Sequence, residues 1–118
     1  MKRYTQDELE GMEIDELDQL AFGYQDDQIV ELDPDQINIQ YTDLENPEAL
    51  YAKYGMKWVR SVDFSEPVDV SIKEDGKLYL EDGHHRYFAA KKLGRKLMCK
   101  IQIKGSPVRY ILKQQGDL

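Results

Sequence analysis

The chain has 118 residues, of which 41% are hydrophobic and 10% aromatic, a composition typical of one soluble globular domain rather than a disordered segment. No apolar stretch approaches the ~20 residues of a membrane span, and no signal-peptide pattern opens the sequence, so we expect a cytoplasmic protein. The single cysteine, Cys99, excludes an internal disulfide, and the lack of a Cys/His cluster argues against structural zinc.

Acidic and basic residues are unevenly distributed along the chain. Residues 1–50 contain 15 Asp and Glu against 2 Lys and Arg, whereas residues 51–118 contain 8 against 14. A solvated acidic surface is the ordinary explanation of such a bias. The sharper alternatives are that the acidic half shields the basic half, imitates a nucleic acid, or binds a protein partner.

The first predicted element is an acidic amphipathic helix. Thr5 followed by Glu8 indicates a capping box, and apolar residues then recur at near-helical spacing until Gly23, namely Leu9, Met12, Leu17, Leu20 and Ala21. We therefore predict a helix over residues 6–21 within an acidic N-terminal arm, residues 1–24. Residues 25–118 are predicted to form a separate small α/β domain.

The middle of the chain predicts short extended pieces and a helix. Residues 29–32 and 37–41 are expected to be extended on either side of a turn at residues 33–35. Pro47 is expected at the first position of a helix that Gly55 ends. Trp58, in a segment without clear periodicity, is expected to anchor the core.

The clearest pattern is a hairpin, a helix and a further strand. Residues 68–72 alternate apolar and polar, residues 74–77 form a turn signal, and residues 77–81 return as a second strand. A helix over residues 84–93 should bury Phe88, Ala89 and Leu93 before Gly94 ends it. Residues 97–103, with Cys99 buried, form another strand, and residues 107–114 a terminal helix. The fold class is α/β, a mixed sheet flanked by helices.

Residues 81–90, Glu-Asp-Gly-His-His-Arg-Tyr-Phe-Ala-Ala, contain both histidines of the chain. They lie at a strand-to-helix junction, where free backbone N–H groups and the positive end of the helix attract anions. The arginine adds a planar fork that suits phosphate. The pattern indicates an anion or nucleotide site made by Gly83, His84, His85 and Arg86. A hydrogen-bonded turn without a ligand is the alternative.

Two carboxylates flank this segment. Asp82 and Glu66 could hold Mg²⁺ together with phosphate oxygens, or either could act as a general base for a substrate hydroxyl. Asp82 is equally compatible with a helix N-cap. Glu66, before Pro67, is equally compatible with a solvated turn residue.

Two stretches resemble the ParB/sulfiredoxin superfamily. Glu66-Pro67 before the apolar strand is similar to the first conserved element of ParB-type proteins, and residues 83–89 are similar to their helix-opening box. The resemblance spans roughly residues 28–105 and implies a small ParB/sulfiredoxin-like domain. It also implies that the turn binds the phosphates of ATP or CTP with Mg²⁺. By that resemblance Gly83, His84, His85 and Arg86 bind phosphate. The chemistry of the neighbouring side chains makes Asp82, Glu66 and His84 the candidate catalytic residues.

Several residues differ from the superfamily pattern, and these differences exclude some of its known activities. His84 replaces the reactive cysteine in the Gly-Cys-His-Arg turn of sulfiredoxin, and Cys99 lies in the following strand, so sulfiredoxin chemistry is excluded. The helix-turn-helix of partition proteins has no counterpart after Gly105, and a CTP-gated DNA clamp is not expected.

Two classes of function remain. The first is a nucleotide-dependent enzyme, a small phosphotransferase or nucleotidase. The second is a non-catalytic interaction module, encoded by a phage or mobile element, that binds a protein through its acidic N-terminal half. DNA association is a further, less favoured alternative because no exposed aromatics accompany the basic residues. Those basic residues are Lys91, Lys92, Arg95, Lys96, Lys100 and Lys104.

Overall fold

The computed structural model describes the backbone of residues 2–118 and their side chains except those of Tyr41 and Thr42. The helices are α1 (Gln6–Glu10), α2 (Ile14–Phe22), α3 (Glu45–Tyr54), α4 (Met56–Ser61), α5 (His84–Leu93) and α6 (Pro107–Gln114). The strands are β1 (Ile29–Leu32), β2 (Val68–Ile72), β3 (Leu78–Asp82) and β4 (Leu97–Ile103), and 3₁₀ turns occupy Pro34–Gln36 and Tyr41–Leu44. None of these helices is both long and apolar enough to cross a membrane.

The four strands form one mixed sheet in the order β1-β4-β2-β3. β4 pairs with β2 in parallel, whereas the β1–β4 and β2–β3 pairs are antiparallel. A parallel pair needs a long crossover connection, and here the β3 strand and α5 supply it. The predicted α/β architecture, a mixed sheet flanked by helices, is confirmed.

The main core lies between this sheet and α5. The apolar residues of β2 alternate with polar ones and are almost fully enclosed, with Val68 and Val70 0% exposed and Ile72 1% exposed. Tyr87 and Ala90 of α5 belong to the same cluster. The fold thereby fixes the first turn of α5 against the start of β2.

The N-terminal helix prediction is partly wrong, because residues 6–21 form two helices. The capping box of Thr5 and Glu8 is confirmed, but α1 ends at the C-cap Gly11, and α2 starts again after Glu13 in an extended conformation. Glycine inside a helix costs about 1 kcal/mol relative to alanine, and the break lets both helices pack on α6. Their apolar cluster comprises Leu9, Leu17, Ile111 and Leu112.

Several predicted details also differ. α3 starts at Glu45 rather than Pro47, since proline is tolerated anywhere in the first turn. Trp58 is only half-buried, and the enclosed residue of α4 is Val59, at 0% exposed. Leu20 and Leu93, expected on buried faces, are 43% and 37% exposed because no neighbouring element covers them fully.

Candidate functional site

Gly83 is the single residue between β3 and α5, and it is the N-cap of the helix with a left-handed φ of 99°. A Cβ atom at this position would lie 2.4 Å from Cγ1 of Val68. Glycine is therefore required by the packing of the turn onto β2, whereas the resemblance assigns it to backbone contact with phosphate. The N–H of Gly83 donates to Oδ1 of Asp82 at 2.9 Å.

The first turn of α5 has no side-chain cap. Its first intrahelical bond runs from the N–H of Tyr87 to the carbonyl of Gly83, at 2.9 Å. The N–H groups of His84, His85 and Arg86 precede that bond, so they are the groups that a helix leaves for a cap, for water or for an anion. The geometry supports the predicted anion site at this turn.

Arg86 connects this turn to the segment before β2. Its Nη1 donates to the carbonyl oxygen of Glu66 at 2.6 Å and to that of Pro67 at 3.1 Å. The structure thus brings Arg86 and Glu66 together, but through the backbone of Glu66, whose side chain is exposed. One end of the guanidinium is occupied, and the remaining N–H groups are available to a ligand.

The two adjacent histidines point to different neighbours. Nε2 of His84 lies 3.4 Å from Oδ2 of Asp43, which precedes α3. This nitrogen is enclosed and makes no hydrogen bond to any described residue, Asp43 included. His85 is exposed and lies edge-on to Trp58, with ring centroids 6.1 Å apart. The pair therefore presents two different environments to a ligand at the helix start.

A polar cleft of about 210 Å³ opens beside His84. Glu81 lies in it and accepts a hydrogen bond from the hydroxyl of the buried Ser71 at 2.6 Å, with Lys104 at 3.4 Å and Lys73 at 4.0 Å. The Ser71 bond, followed by Lys104, holds the pKa of Glu81 below its usual value. The cleft is lined by Asn38, Gln40, Asp43, Lys73, Tyr79, Leu80, Glu81 and His84.

Asp43 and Glu81 are site residues that the sequence did not identify. Glu81 is the first residue of the segment 81–90, and its position on β3 could have marked it as pointing to the sheet surface. Asp43 lies far from His84 in sequence and within no recognisable motif. Only the path of the 3₁₀ turn at Tyr41–Leu44 brings it to α5.

The carboxylates predicted to hold magnesium lie at the end of β3 and before β2. Asp82 is exposed, is not the helix N-cap, and is the cross-strand neighbour of Asp69 at a β-bulge. No group of three or more His, Cys, Asp and Glu side chains among the described residues could hold a metal ion. Mg²⁺ that arrives with a nucleotide needs only one or two carboxylates, so the prediction for Asp82 and Glu66 is restricted to that case.

Cys99 lies inside the sheet on β4. It is 0% exposed, and burial raises the pKa of its thiol to about 12. Reactive cysteines are accessible and have lowered pKa values. The expected buried thiol is confirmed, and its chemistry at neutral pH is that of an inert core residue.

The chain is similar to a solved structure, the crystal structure of sulfiredoxin from Arabidopsis thaliana. The similarity has a TM-score of 0.51 and 29% sequence identity, and it covers 77% of this chain and 99% of that chain. No protein-family model and no curated protein matches the sequence. The chain therefore has a ParB/sulfiredoxin-like fold, as the residues of its hairpin and helix motif predict.

Proposed function

We propose that this chain is a nucleotide-binding domain that holds the phosphates of ATP or CTP, with Mg²⁺, at the first turn of α5. The observation that carries the proposal is the uncapped start of α5, where Arg86 is fixed by the carbonyls of Glu66 and Pro67. Backbone N–H groups at a helix start and an oriented guanidinium are complementary to phosphate.

The residues have different roles in this proposal. The N–H groups of His84, His85 and Arg86 bind phosphate oxygens, and the imidazole of His85 lies outside, beside Trp58. His84 lines the polar cleft, where its Nε2 lies 3.4 Å from Oδ2 of Asp43. Gly83 contributes by letting the turn pack on β2, which sets the direction of the first N–H groups.

The reaction that the site supports best is phosphoryl transfer to a hydroxyl or to water. A general base takes the proton of the attacking oxygen, the new O–P bond forms at the terminal phosphorus, and the bond to the leaving phosphate breaks. Asp82, Glu66 and His84 are the groups proposed as that base, and Asp82 and Glu66 as the carboxylates for Mg²⁺. Arg86 compensates charge on the phosphate oxygens.

DNA association is the weaker alternative on this surface. Five of the six basic residues first assigned to it already have partners within the chain: Lys91 with Asp35, Lys92 over Tyr51, Arg95 over Phe64, Lys100 with Asp27 and Lys104 with Glu81. Cations that are held in this way neutralise fewer phosphates. The interaction-module alternative uses a different surface, the acidic helices α1 and α2.

A thermal-shift panel of ATP, CTP, GTP and UTP, with and without Mg²⁺, tests the proposal. A nucleotide at 100 times its dissociation constant should stabilise the fold by about 2.7 kcal/mol. Arg86→Ala should remove the shift, whereas Arg109→Ala, an exposed arginine on α6, should keep it. Inorganic triphosphate separates phosphate binding from base recognition. The absence of a shift with every nucleotide would overturn the proposal.

A further inference from the structure

The acidic helices α1 and α2 carry charges that the fold does not balance. Between Arg3 and Lys53 the sequence contains no Lys or Arg. Seven carboxylates lie on or between the two helices, and none of them forms an ion pair within the described chain: Asp7, Glu8, Glu10, Glu13, Asp15, Glu16 and Asp18. An ordinary solvated face accounts for the six exposed ones. It does not account for the seventh.

Asp18 is buried, at 4% exposed, although it has no hydrogen-bond donor or cation among the described residues. Burying a carboxylate without a partner costs free energy. Its burial, followed by the nearby charges of Asp26 and Asp15, raises the pKa of its carboxyl group. Because its oxygens are not among the fully enclosed unpaired atoms, they keep a small opening to the surface. The site lacks a positive donor.

An exposed apolar residue lies on the same side of α2. Ile14 is 71% exposed and is four residues before Asp18, so the two side chains are neighbours on one helical face. An isoleucine that is this exposed at the first position of a helix contributes almost no burial energy to the fold. Apolar anchor residues within a polar surface are typical of protein interfaces.

We propose that α2 is the docking surface for a basic amphipathic segment of a partner protein, whose Lys or Arg reaches Asp18 while its apolar residues cover Ile14. Charge complementarity selects this occupant, because every charged side chain of α1 and α2 is acidic. A metal ion is a poorer fit, since no three His, Cys, Asp or Glu side chains of the described residues are arranged to hold one. This surface and the turn at α5 are separate parts of the molecule, so the inference stands apart from the nucleotide proposal.

Fluorescence anisotropy with a labelled amphipathic peptide of leucine and lysine tests the docking surface on the full chain. We expect Asp15→Asn/Asp18→Asn and, separately, Ile14→Ser to weaken binding by at least about tenfold. The matched control is Glu45→Gln/Glu48→Gln on α3, which removes the same charge elsewhere. This control should leave the affinity unchanged. Amide chemical shifts should change in α2 and not in α3.

Three results would overturn the inference. Equal weakening by the α2 and α3 double variants would show unspecific attraction of a basic peptide to an acidic protein. Equal binding of a leucine and glutamate peptide would exclude charge recognition, and binding of Ca²⁺ or Mg²⁺ alone at Asp18 would identify a cation site instead. Circular dichroism of each variant controls for unfolding, and Asp18→Asn is expected to be at least as stable as the parent.

Discussion

His85 lies edge-on against Trp58, with the two ring centroids 6.1 Å apart, and Phe88 lies 6.0 Å from the same indole. Trp58 is the only tryptophan in the chain. An indole beside the first turn of α5 makes an intrinsic probe of that turn, because its emission responds to the charge and position of the neighbouring imidazole.

We predict that ATP or CTP changes the emission of Trp58 and that His85→Ala removes most of this change while weakening binding only modestly. The physical reason is that a phosphate at the helix start displaces the imidazole that lies edge-on to the indole. Titration of the fluorescence against nucleotide concentration measures it. His84→Ala is the matched variant, and it should retain the emission change at saturation. A response in His85→Ala equal to that of the parent would contradict the prediction.

Arg86 is predicted to hold the segment before β2 as well as to bind phosphate. Loss of the bonds to the carbonyls of Glu66 and Pro67 in Arg86→Ala should destabilise the fold by about 1–3 kcal/mol. Amide hydrogen exchange should become faster in residues 63–68. Arg109→Ala should change neither, and unaltered exchange in Arg86→Ala would mean that these bonds do not order the segment.

Much of the fold was predictable because its signals are local. The alternation in β2, the turn at Gly76 and the glycine that ends α5 each act within a few residues. The break between α1 and α2 was not, since a regular apolar spacing continues across Gly11, and the break depends on the docking of both helices on α6. Tertiary packing there outweighs the local pattern.

The candidate site was predictable only in its contiguous part. The residue types at positions 82–86 indicate an anion-binding turn, and the structure places this turn at an uncapped helix start. The contact of His84 with Asp43 depends on how the 3₁₀ turn at Tyr41–Leu44 packs against α5, which no spacing in the sequence encodes. Likewise, the sequence could not show that Gly83 packs against Val68 of β2.

We predict that Glu81 contributes to the free energy of unfolding in a way that is lost in acid. Its folded pKa is lowered, chiefly by the hydrogen bond from Ser71, so its stabilisation is present above the unfolded pKa and is lost as pH falls through the folded pKa. Urea unfolding from pH 7 to pH 2 should show a smaller acid-induced loss in Glu81→Gln than in the parent. Glu48→Gln, on α3, should follow the parent. Identical acid limbs in all three proteins would refute the role of Glu81.

Cys99 should resist thiol reagents in the folded protein. Burial raises its pKa to about 12, so at pH 8 almost no thiolate is present and access is closed. A disulfide reagent should label one thiol rapidly in urea and none on the same timescale without it. Because the folded pKa is raised, stability should fall as pH rises from the unfolded pKa near 9 towards 12, and Cys99→Ala should lack this alkaline loss.

Asp18→Asn is expected to stabilise the protein at pH 7 by an amount of the order of 1 kcal/mol. The carboxylate is buried without a donor and faces the charges of Asp15 and Asp26, which raises its folded pKa. A raised pKa means that the favourable contribution exists below the unfolded pKa and disappears as pH rises through the folded value. The stability gained in Asp18→Asn should therefore become smaller in acid.

Urea unfolding at pH 7 and pH 3 measures this gain, with Asp15→Asn as the exposed control. A stability loss in Asp18→Asn at pH 7 would show that the carboxylate is needed by the fold, whereas a gain leaves binding as the reason for a charge at this position.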